Sequence, residues 1–162
     1  MRVDDEPTGA VFTDDRTHRL YLWRRWERDG PWVMFIGLNP STASEETNDP
    51  TVRRCIGFAQ RWGYSGMFMC NAFTLVSTDP KRLNSEAPIA MGAQLTLRVI
   101  RDRCGEAVAA WGNLVTLVRG WEDRVGRIKN DLAPLHCLGV TKLGHPRHPL
   151  YLPYSTKLEL LI

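Results

Sequence analysis

Four short apolar runs, each of strand length, most constrain how this chain can fold. They alternate with longer segments in which apolar residues recur at helical spacing. Continuous apolar runs are typical of parallel strands buried on both faces of a sheet, and alternating strands and helices are typical of α/β proteins with right-handed crossovers. The runs are residues 32–36, 66–70, 107–111 and 135–139.

Helix signals separate these runs. Asp49 and Pro50 supply a capping side chain and a first-turn proline, and apolar residues then recur at every third or fourth position as far as Trp62. Residues 88–104 and 113–132 carry two further helical patterns. Each helical segment therefore joins one strand to the next, as a parallel sheet requires.

A β-hairpin is predicted ahead of this alternating core. Residues 9–25 alternate between polar and apolar types around a turn sequence at 14–17. We therefore expect a three-layer α/β/α fold with a central four-stranded, mainly parallel sheet and an N-terminal β-hairpin. The length suits one domain over residues 1–162, with its core at residues 31–155.

Composition excludes several classes of protein. Hydrophobic residues make up 43% and charged residues 24% of the chain, as in ordinary globular domains. No apolar run reaches the ~20 residues of a membrane span, and the N-terminus is too polar for a signal peptide. We therefore expect a cytoplasmic protein with no membrane partner, and we expect a monomer. Arginine supplies 17 of the 21 basic residues, which suits phosphate binding but follows equally from a GC-rich genome.

The four cysteines do not have the spacing of a metal site. They are separated by 15, 34 and 33 residues and include no Cys-x-x-Cys pair. Each lies among apolar residues, which is typical of a buried free thiol. We therefore expect neither a metal nor another cofactor.

Polar residues follow each of the four predicted strands. Because the carboxyl ends of parallel strands lie at one edge of a sheet, where α/β proteins bind ligands, we expect these groups to converge. Taken singly, each has a structural explanation as a turn, a hydrogen-bonded buried amide, a helix cap or a surface loop. The motifs are Gly37-Leu38-Asn39-Pro40-Ser41-Thr42, Asn71-Ala72-Phe73-Thr74, Trp111-Gly112-Asn113 and Gly144-His145-Pro146-Arg147-His148-Pro149-Leu150-Tyr151.

The order of these motifs resembles the uracil-DNA glycosylase superfamily and, more narrowly, a bacterial and phage family of unknown function within it. That superfamily has a Gly-x-Asp/Asn-Pro loop, a strand ending in Asn, a Trp-Gly element and a His-Pro loop that carries a Leu. The resemblance covers roughly residues 31–155. It implies a DNA glycosylase that flips a damaged or modified pyrimidine out of DNA and hydrolyses its N-glycosidic bond, leaving an abasic site.

The resemblance also implies a role for individual residues. Asn39 would place the attacking water, and His145 would stabilise negative charge on the leaving base. Leu150, or its neighbours Arg147 and His148, would enter the duplex as a wedge. The residues implied in base binding are Gly37, Leu38, Asn71 and Phe73, and those implied in DNA contacts are Ser41, Thr42, Asn113, Arg147, His148 and Leu150.

Three departures from the superfamily pattern change these expectations. Asn39 stands where uracil enzymes carry Asp, and an amide cannot take a proton from water. Asp49 therefore becomes the candidate base, and a helix cap is the alternative role for this residue. Ser41 replaces a tyrosine that blocks bases with a 5-substituent, which favours 5-substituted, phage-type pyrimidines as substrates. The His-Pro loop is one residue longer than usual, so the choice between His145 and His148 stays open.

Two other functions remain open from the sequence. A pocket with Asn39 in place of Asp suits a module that binds a nucleotide or modified base without cleaving it. A hydrolase of free nucleotides or nucleosides is the second alternative. DNA binding through several phosphate contacts weakens steeply with salt, by a slope of roughly −0.9 per contact, whereas a nucleotide enzyme is nearly indifferent. Excision could serve repair or antiviral defence, and the sequence does not choose between them.

Overall fold

One mixed β-sheet with helices on both faces organises residues 6–161, the part of the chain that the computed structural model describes. The strands are β1 (Thr8–Phe12), β2 (Arg19–Arg25), β3 (Trp32–Gly37), β4 (Gly66–Asn71), β5 (Glu106–Ala109), β6 (His136–Cys137) and β7 (Glu159–Leu160). The helices are α1 (Pro50–Arg61), α2 (Ala93–Arg101) and α3 (Trp121–Leu132). Short 3₁₀ turns occupy Pro80–Asn84, Asn113–Leu117 and Pro149–Tyr151.

The strands follow the order β1-β2-β4-β3-β5-β6-β7 across the sheet. Strand β3 pairs in parallel with β4 and β5, and β5 pairs in parallel with β6, so the four predicted strands form a parallel centre. The α/β class is confirmed. The predicted four-stranded sheet is too small, because β2 joins β4 and β7 joins β6 in antiparallel pairs. These additions cover backbone groups that β4 and β6 would otherwise expose at a sheet edge.

Strand β3 shows why its apolar run is continuous. Val33 and Phe35 belong to the core on the α1 side of the sheet, whereas Met34 and Ile36 belong to the core on the α2 and α3 side. All four side chains are fully buried. Both faces of the strand are therefore covered, as expected for a central strand of a layered α/β fold.

Two glycines make the second and third helices shorter than predicted. Helix α2 begins after Gly92, whose φ is 80°, and α3 begins after Gly120, whose φ is 73°. These left-handed conformations suit glycine and interrupt a helix. The helices were predicted to begin at residues 88 and 113 from apolar spacing alone, and that spacing does not reveal a left-handed glycine.

Three further features of the structure concern the cysteines, membrane-spanning helices and metal ligands. All four cysteines are buried and free, as predicted. Within residues 6–161, no helix combines the length and the apolar character needed to cross a membrane. The same residues contain no group of three His, Cys, Asp or Glu side chains that could hold a metal ion.

Candidate active site

A cavity of about 170 Å³ lies where β3 and β4 end. Each of the four polar motifs contributes at least one residue to its lining. The structure thus brings together side chains that are far apart in the sequence, because the parallel strands end at the same edge of the sheet. The motif residues in the lining are Gly37, Leu38, Asn39, Ser41, Asn71, Trp111 and His148.

The amide of Asn39 is held by backbone carbonyl groups. Its Nδ2 donates to the carbonyl oxygen of Ser77 at 2.8 Å and to that of Pro40 at 3.1 Å. These bonds leave Oδ1 as the remaining polar atom of the side chain, and no residue within 6–161 donates to it. An amide oxygen accepts a hydrogen bond from water but cannot remove the proton, so Asn39 is suited to positioning.

Asp49 caps α1 and lines the cavity at the same time. Its Oδ1 accepts a hydrogen bond from the backbone N–H of Val52 at 2.8 Å. Its Oδ2 receives no hydrogen bond from the described residues, and no other acidic residue lies in the lining. The helix-cap and active-site interpretations of Asp49 are therefore compatible, since each uses a different carboxylate oxygen.

A buried arginine of β2 fixes the loop that leads to Asp49. The Nε of Arg24 donates to Oδ1 of Asn48 at 2.7 Å, and its Nη2 donates to the carbonyl oxygen of Ser44 at 2.7 Å. Burial lowers the pKa of Arg24, and the negative charge of Asp49 opposes that shift. The position of Asp49 therefore depends on a tertiary contact with β2 as well as on the start of α1.

Arg19 and Asn71 form a buried pair in the cavity lining. Nη2 of Arg19 donates to Oδ1 of Asn71 at 3.1 Å, while Nη1 donates to the carbonyl oxygen of Ala43 at 3.1 Å. Arg19 is 2% exposed and Asn71 is 3% exposed. Burial lowers the pKa of Arg19 to about 10, with the charge of Asp49 acting in the opposite direction. The guanidinium therefore remains charged at neutral pH.

The two histidines of the fourth motif have different surroundings. His148 lines the cavity, and its Nδ1 accepts a hydrogen bond from the backbone N–H of Leu150 at 3.2 Å, which leaves the proton of the neutral ring on Nε2. His148 is exposed as a whole residue, yet the surrounding protein desolvates its ring and lowers its pKa, against the charge of Asp49. His145 lies outside the lining and packs edge-on against Trp121, with ring centroids 5.1 Å apart.

The other residues predicted for the site do not line the cavity. Phe73 is buried in the core on the α2 and α3 side of the sheet. Thr42, Asn113 and Arg147 are exposed, and Leu150 is half-buried. Exposure leaves the first three accessible to a ligand that extends beyond the cavity.

Arg19 is the most informative lining residue that the sequence did not indicate. It lies in the N-terminal hairpin, whose docking onto β4 is a tertiary event without a local signal. A charged residue inside the apolar strand segment 18–23 was the available clue, because a buried charge requires polar partners. The further lining residues outside the prediction are Thr51, Val52, Met69, Ser77, Thr78, Pro80 and Leu114.

The part of the chain that forms the cavity matches a known protein family. Over residues 19–150 the chain matches the family described as "Protein of unknown function (DUF1643)". The chain belongs to this family. Every residue that lines the cavity falls inside the matched range, so the cavity is built entirely from the family domain. No curated protein and no solved structure matches the chain.

Proposed function

We propose that this protein is a DNA glycosylase that hydrolyses the N-glycosidic bond of a damaged or modified pyrimidine flipped out of DNA, in repair or antiviral defence. One observation carries the proposal: a carboxylate with a free oxygen, two amides and a neutral imidazole line one cavity of about 170 Å³. A cavity of roughly 150 Å³ accommodates one six-membered aromatic ring. The cavity therefore has room for a single pyrimidine ring.

Asn39 and Asp49 supply the groups that a water nucleophile needs. In the proposed step, the water oxygen bonds to the sugar C1′ while the bond from C1′ to the base nitrogen breaks. Oδ1 of Asn39 orients the water, and the free Oδ2 of Asp49 takes its proton. General-base catalysis of this kind contributes about 10²- to 10⁴-fold.

Asn71 and His148 are suited to stabilising the departing base. The electron pair of the broken bond goes to the base, which leaves as an anion and then takes a proton from solvent. The neutral ring of His148 carries its proton on Nε2, and the amide of Asn71 offers N–H groups from a buried position. Fixed donors that meet developing negative charge lower the barrier, because they need no reorganisation during the reaction.

The residues beside Asn39 favour a pyrimidine with a substituent on C5. Ser41 is half-buried and lines the cavity where the resemblance to uracil enzymes places a tyrosine. Ser77 and Thr78 lie in the same lining. The Ser77 hydroxyl already donates to the carbonyl oxygen of Asp79 at 2.9 Å, whereas the Thr78 hydroxyl is a donor for a polar substituent. Hydroxymethylated and other enlarged phage-type pyrimidines are therefore the substrates that we propose.

Tyr151, rather than Leu150, is suited to occupy the gap left by a flipped base. Tyr151 is 91% exposed at the end of the 3₁₀ turn that begins beside His148, whereas Leu150 is half-buried. The turn is anchored by the buried Pro149. An exposed aromatic ring on a rigid turn can stack on neighbouring bases, which contributes about 1–3 kcal/mol per base.

A panel of DNA duplexes tests this function against its alternatives. Each duplex carries one pyrimidine, either unmodified or bearing a 5-hydroxymethyl, glycosylated or otherwise enlarged substituent, and abasic sites are quantified after incubation. We expect abasic product on at least one 5-substituted duplex, together with binding that weakens steeply as salt increases. Tight binding without abasic product favours the binding module. Release of base from free nucleosides with little dependence on salt favours the nucleoside hydrolase.

A further inference from the structure

We propose that the starts of helices α2 and α3 form a second site, which binds a phosphate group carried by a small molecule or by the DNA backbone. The site is a cavity of about 360 Å³ between the two helices, which we call the α2–α3 cavity. It shares no lining residue with the candidate active site, so the inference goes beyond the proposed function. The polar side chains in its lining are Gln94 of α2 and Asp123, Arg124 and Arg127 of α3.

A buried arginine without a charged partner carries the inference. Arg124 is 6% exposed, and it donates through Nε to the carbonyl oxygen of Ala72 and through Nη1 to Oε1 of Gln94. Both acceptors are neutral, and Nη2 is buried without a hydrogen-bond partner. A buried charge is costly unless an opposite charge and hydrogen bonds compensate it. An oxyanion in the cavity would supply both the missing charge and the missing acceptor.

The nearest carboxylate that favours the charge on Arg124 is already occupied. Oδ2 of Asp131 accepts from Nη2 of Arg98 at 2.7 Å and from Nε2 of Gln94 at 2.6 Å. Burial and the charge of Arg127 lower the pKa of Arg124 to about 10, and the charge of Asp131 opposes that shift. Arg124 therefore remains charged at neutral pH, beside a second arginine and without an ion pair of its own among residues 6–161.

Both helices also begin without a side-chain cap. Gly92 and Gly120 occupy the N-cap positions of α2 and α3, and neither can offer a side-chain acceptor to the first turn. The backbone N–H groups of Gln94 and Asp123 donate to no group within the described part of the chain. Free first-turn N–H groups and the helix dipole attract anions, and phosphate is a common ligand of such helix starts. Two helix starts therefore offer donors to the cavity that the buried guanidinium lines.

One carboxylate in the lining opposes an anion. Asp123 is exposed on the first turn of α3 and forms no ion pair within residues 6–161. Arg124 and Arg127 outnumber it, so the charge of the lining remains positive. Removal of this carboxylate should therefore strengthen phosphate binding, an effect that purely structural roles for these residues do not predict.

Titration of the full chain with sodium phosphate tests the site by nuclear magnetic resonance. We expect saturable shifts of the backbone amide signals of residues 92–95 and 120–124, because these residues form the two helix starts. Sodium chloride at the same ionic strength should not reproduce the shifts. No shift at either helix start, or the same shifts with chloride, would overturn the proposal.

Variants of the lining separate a built site from the general attraction of anions to a basic protein. We expect Arg124→Met to weaken phosphate binding about tenfold or more, and Arg127→Gln, at an exposed position, to weaken it about threefold. Asp123→Asn should strengthen binding about threefold. Arg101→Met is the control, because Arg101 ends α2 and donates to backbone carbonyl oxygens outside the cavity, and it should keep the parent affinity.

The two exposed variants decide the matter if Arg124→Met does not fold. Parent-like affinity in both Arg127→Gln and Asp123→Asn, or an equal loss in Arg101→Met, would contradict the proposal.

Two further ligands distinguish a small molecule from DNA as the source of the phosphate. Thymidine 5′-monophosphate carries a terminal phosphate, and a short unmodified duplex carries phosphodiesters. Shifts of the same amide signals by the duplex identify the DNA backbone as a source, whereas shifts by the monophosphate alone identify a small molecule. Shifts by neither ligand contradict the proposal. None of these outcomes depends on base release, so failure of this site and failure of the glycosylase are distinguishable.

Discussion

Two cavities in this protein differ in kind more than in size. The cavity at the ends of β3 and β4 measures about 170 Å³ and contains a free carboxylate oxygen, one buried and one half-buried amide, and a charged arginine. The groove beside α2 is larger, at about 240 Å³, and is lined mainly by apolar side chains such as Phe68, Leu95 and Val99. Its Thr96 hydroxyl is already bonded to the carbonyl oxygen of Gly92 at 3.0 Å.

This contrast indicates that volume is a poor guide to chemistry here. Polar groups are normally paired inside a folded protein, so a cavity where donors and acceptors lack internal partners is prepared for a ligand. The site cavity has such groups, for example Oδ2 of Asp49 and Nδ2 of Asn71. Substitutions there should change activity, whereas substitutions in the groove should leave activity close to that of the parent.

The largest effect is expected at Asp49, where cap and carboxylate can be separated. Asn at this position still caps α1 but cannot take a proton, so Asp49→Asn should fold normally and reduce the rate of base release by about 10²- to 10⁴-fold. Asp49→Ala should lose the cap as well, at a cost of about 1 kcal/mol in unfolding free energy. Single-turnover rates and denaturant melts measure the two effects. Parent-like rates in Asp49→Asn would reduce Asp49 to a helix cap.

His148 should show the next largest effect. Its Nε2 proton is positioned by the hydrogen bond to Nδ1, and removal of one donor to a developing anion costs about 10²- to 10³-fold in rate. His148→Ala should therefore lose activity on this scale in single-turnover assays. His145→Ala is the matched control, because His145 packs against Trp121 outside the cavity. A greater loss of rate in His145→Ala than in His148→Ala would mean that His145, and not His148, is the histidine that acts on the base.

Ser41 should determine the tolerance for a C5 substituent. Filling the space beside it with a tyrosine ring should reduce the rate on enlarged pyrimidines by about tenfold relative to unsubstituted ones, the scale expected for an overpacked contact. Ratios of kcat/KM on paired duplexes measure the change in Ser41→Tyr. If Ser41→Tyr excises enlarged pyrimidines as efficiently as the parent, the space for the C5 substituent does not lie beside residue 41.

A smaller effect is expected in the dependence of stability on pH. Because the pKa of His148 is lowered in the folded protein, the unfolded chain binds a proton more readily. The stability that this group contributes is present above its unfolded pKa and is lost as pH falls through the folded pKa. His148→Asn keeps a side-chain acceptor for Leu150 but does not titrate, so its thermal midpoint should fall less than that of the parent between pH 7 and pH 5. If the thermal midpoints of the parent and of His148→Asn fall equally between pH 7 and pH 5, the pKa of His148 is not lowered in the folded protein.

The smallest effect is expected in the groove. Leu95 is 65% exposed on α2, and Leu95→Gln preserves helix propensity while removing apolar surface. Unfolding free energy should change by about 0.5 kcal/mol or less, with base release at the parent rate. A large loss of activity in this variant would mean that the contrast between the two cavities is misplaced.

Local sequence patterns predicted those strands and helix ends that depend on interactions between neighbouring residues. The apolar run of β3 and the Asp49–Pro50 start of α1 are strong signals, since burial on both faces and helix capping leave marks in adjacent residues. The pairing of β2 with β4 depends on residues far apart in the chain, so the seven-stranded sheet was not predictable in the same way. The left-handed glycines before α2 and α3 were equally invisible to apolar spacing.

The same distinction applies to the site. The strand-end residues Asn39 and Asn71 could be predicted to meet, because sheet geometry brings the ends of parallel strands together. Arg19 could not, since its place in the lining follows from the docking of the hairpin. The choice of His148 over His145 for the proposed role also needed the structure, because the two residues lie in one loop and only His148 lines the cavity.

Release of free base from DNA tests the proposed glycosylase activity most directly. A duplex with one 5-hydroxymethyluracil is incubated with excess protein, and the liberated base and the abasic strand are quantified by mass spectrometry. We expect equal amounts of both products with the parent protein, a loss of about 10²-fold or more in rate with Asp49→Asn, and a parent-like rate with His145→Ala. No liberated base from this or any other 5-substituted duplex, or equal rates for the parent and Asp49→Asn, would contradict the proposed activity.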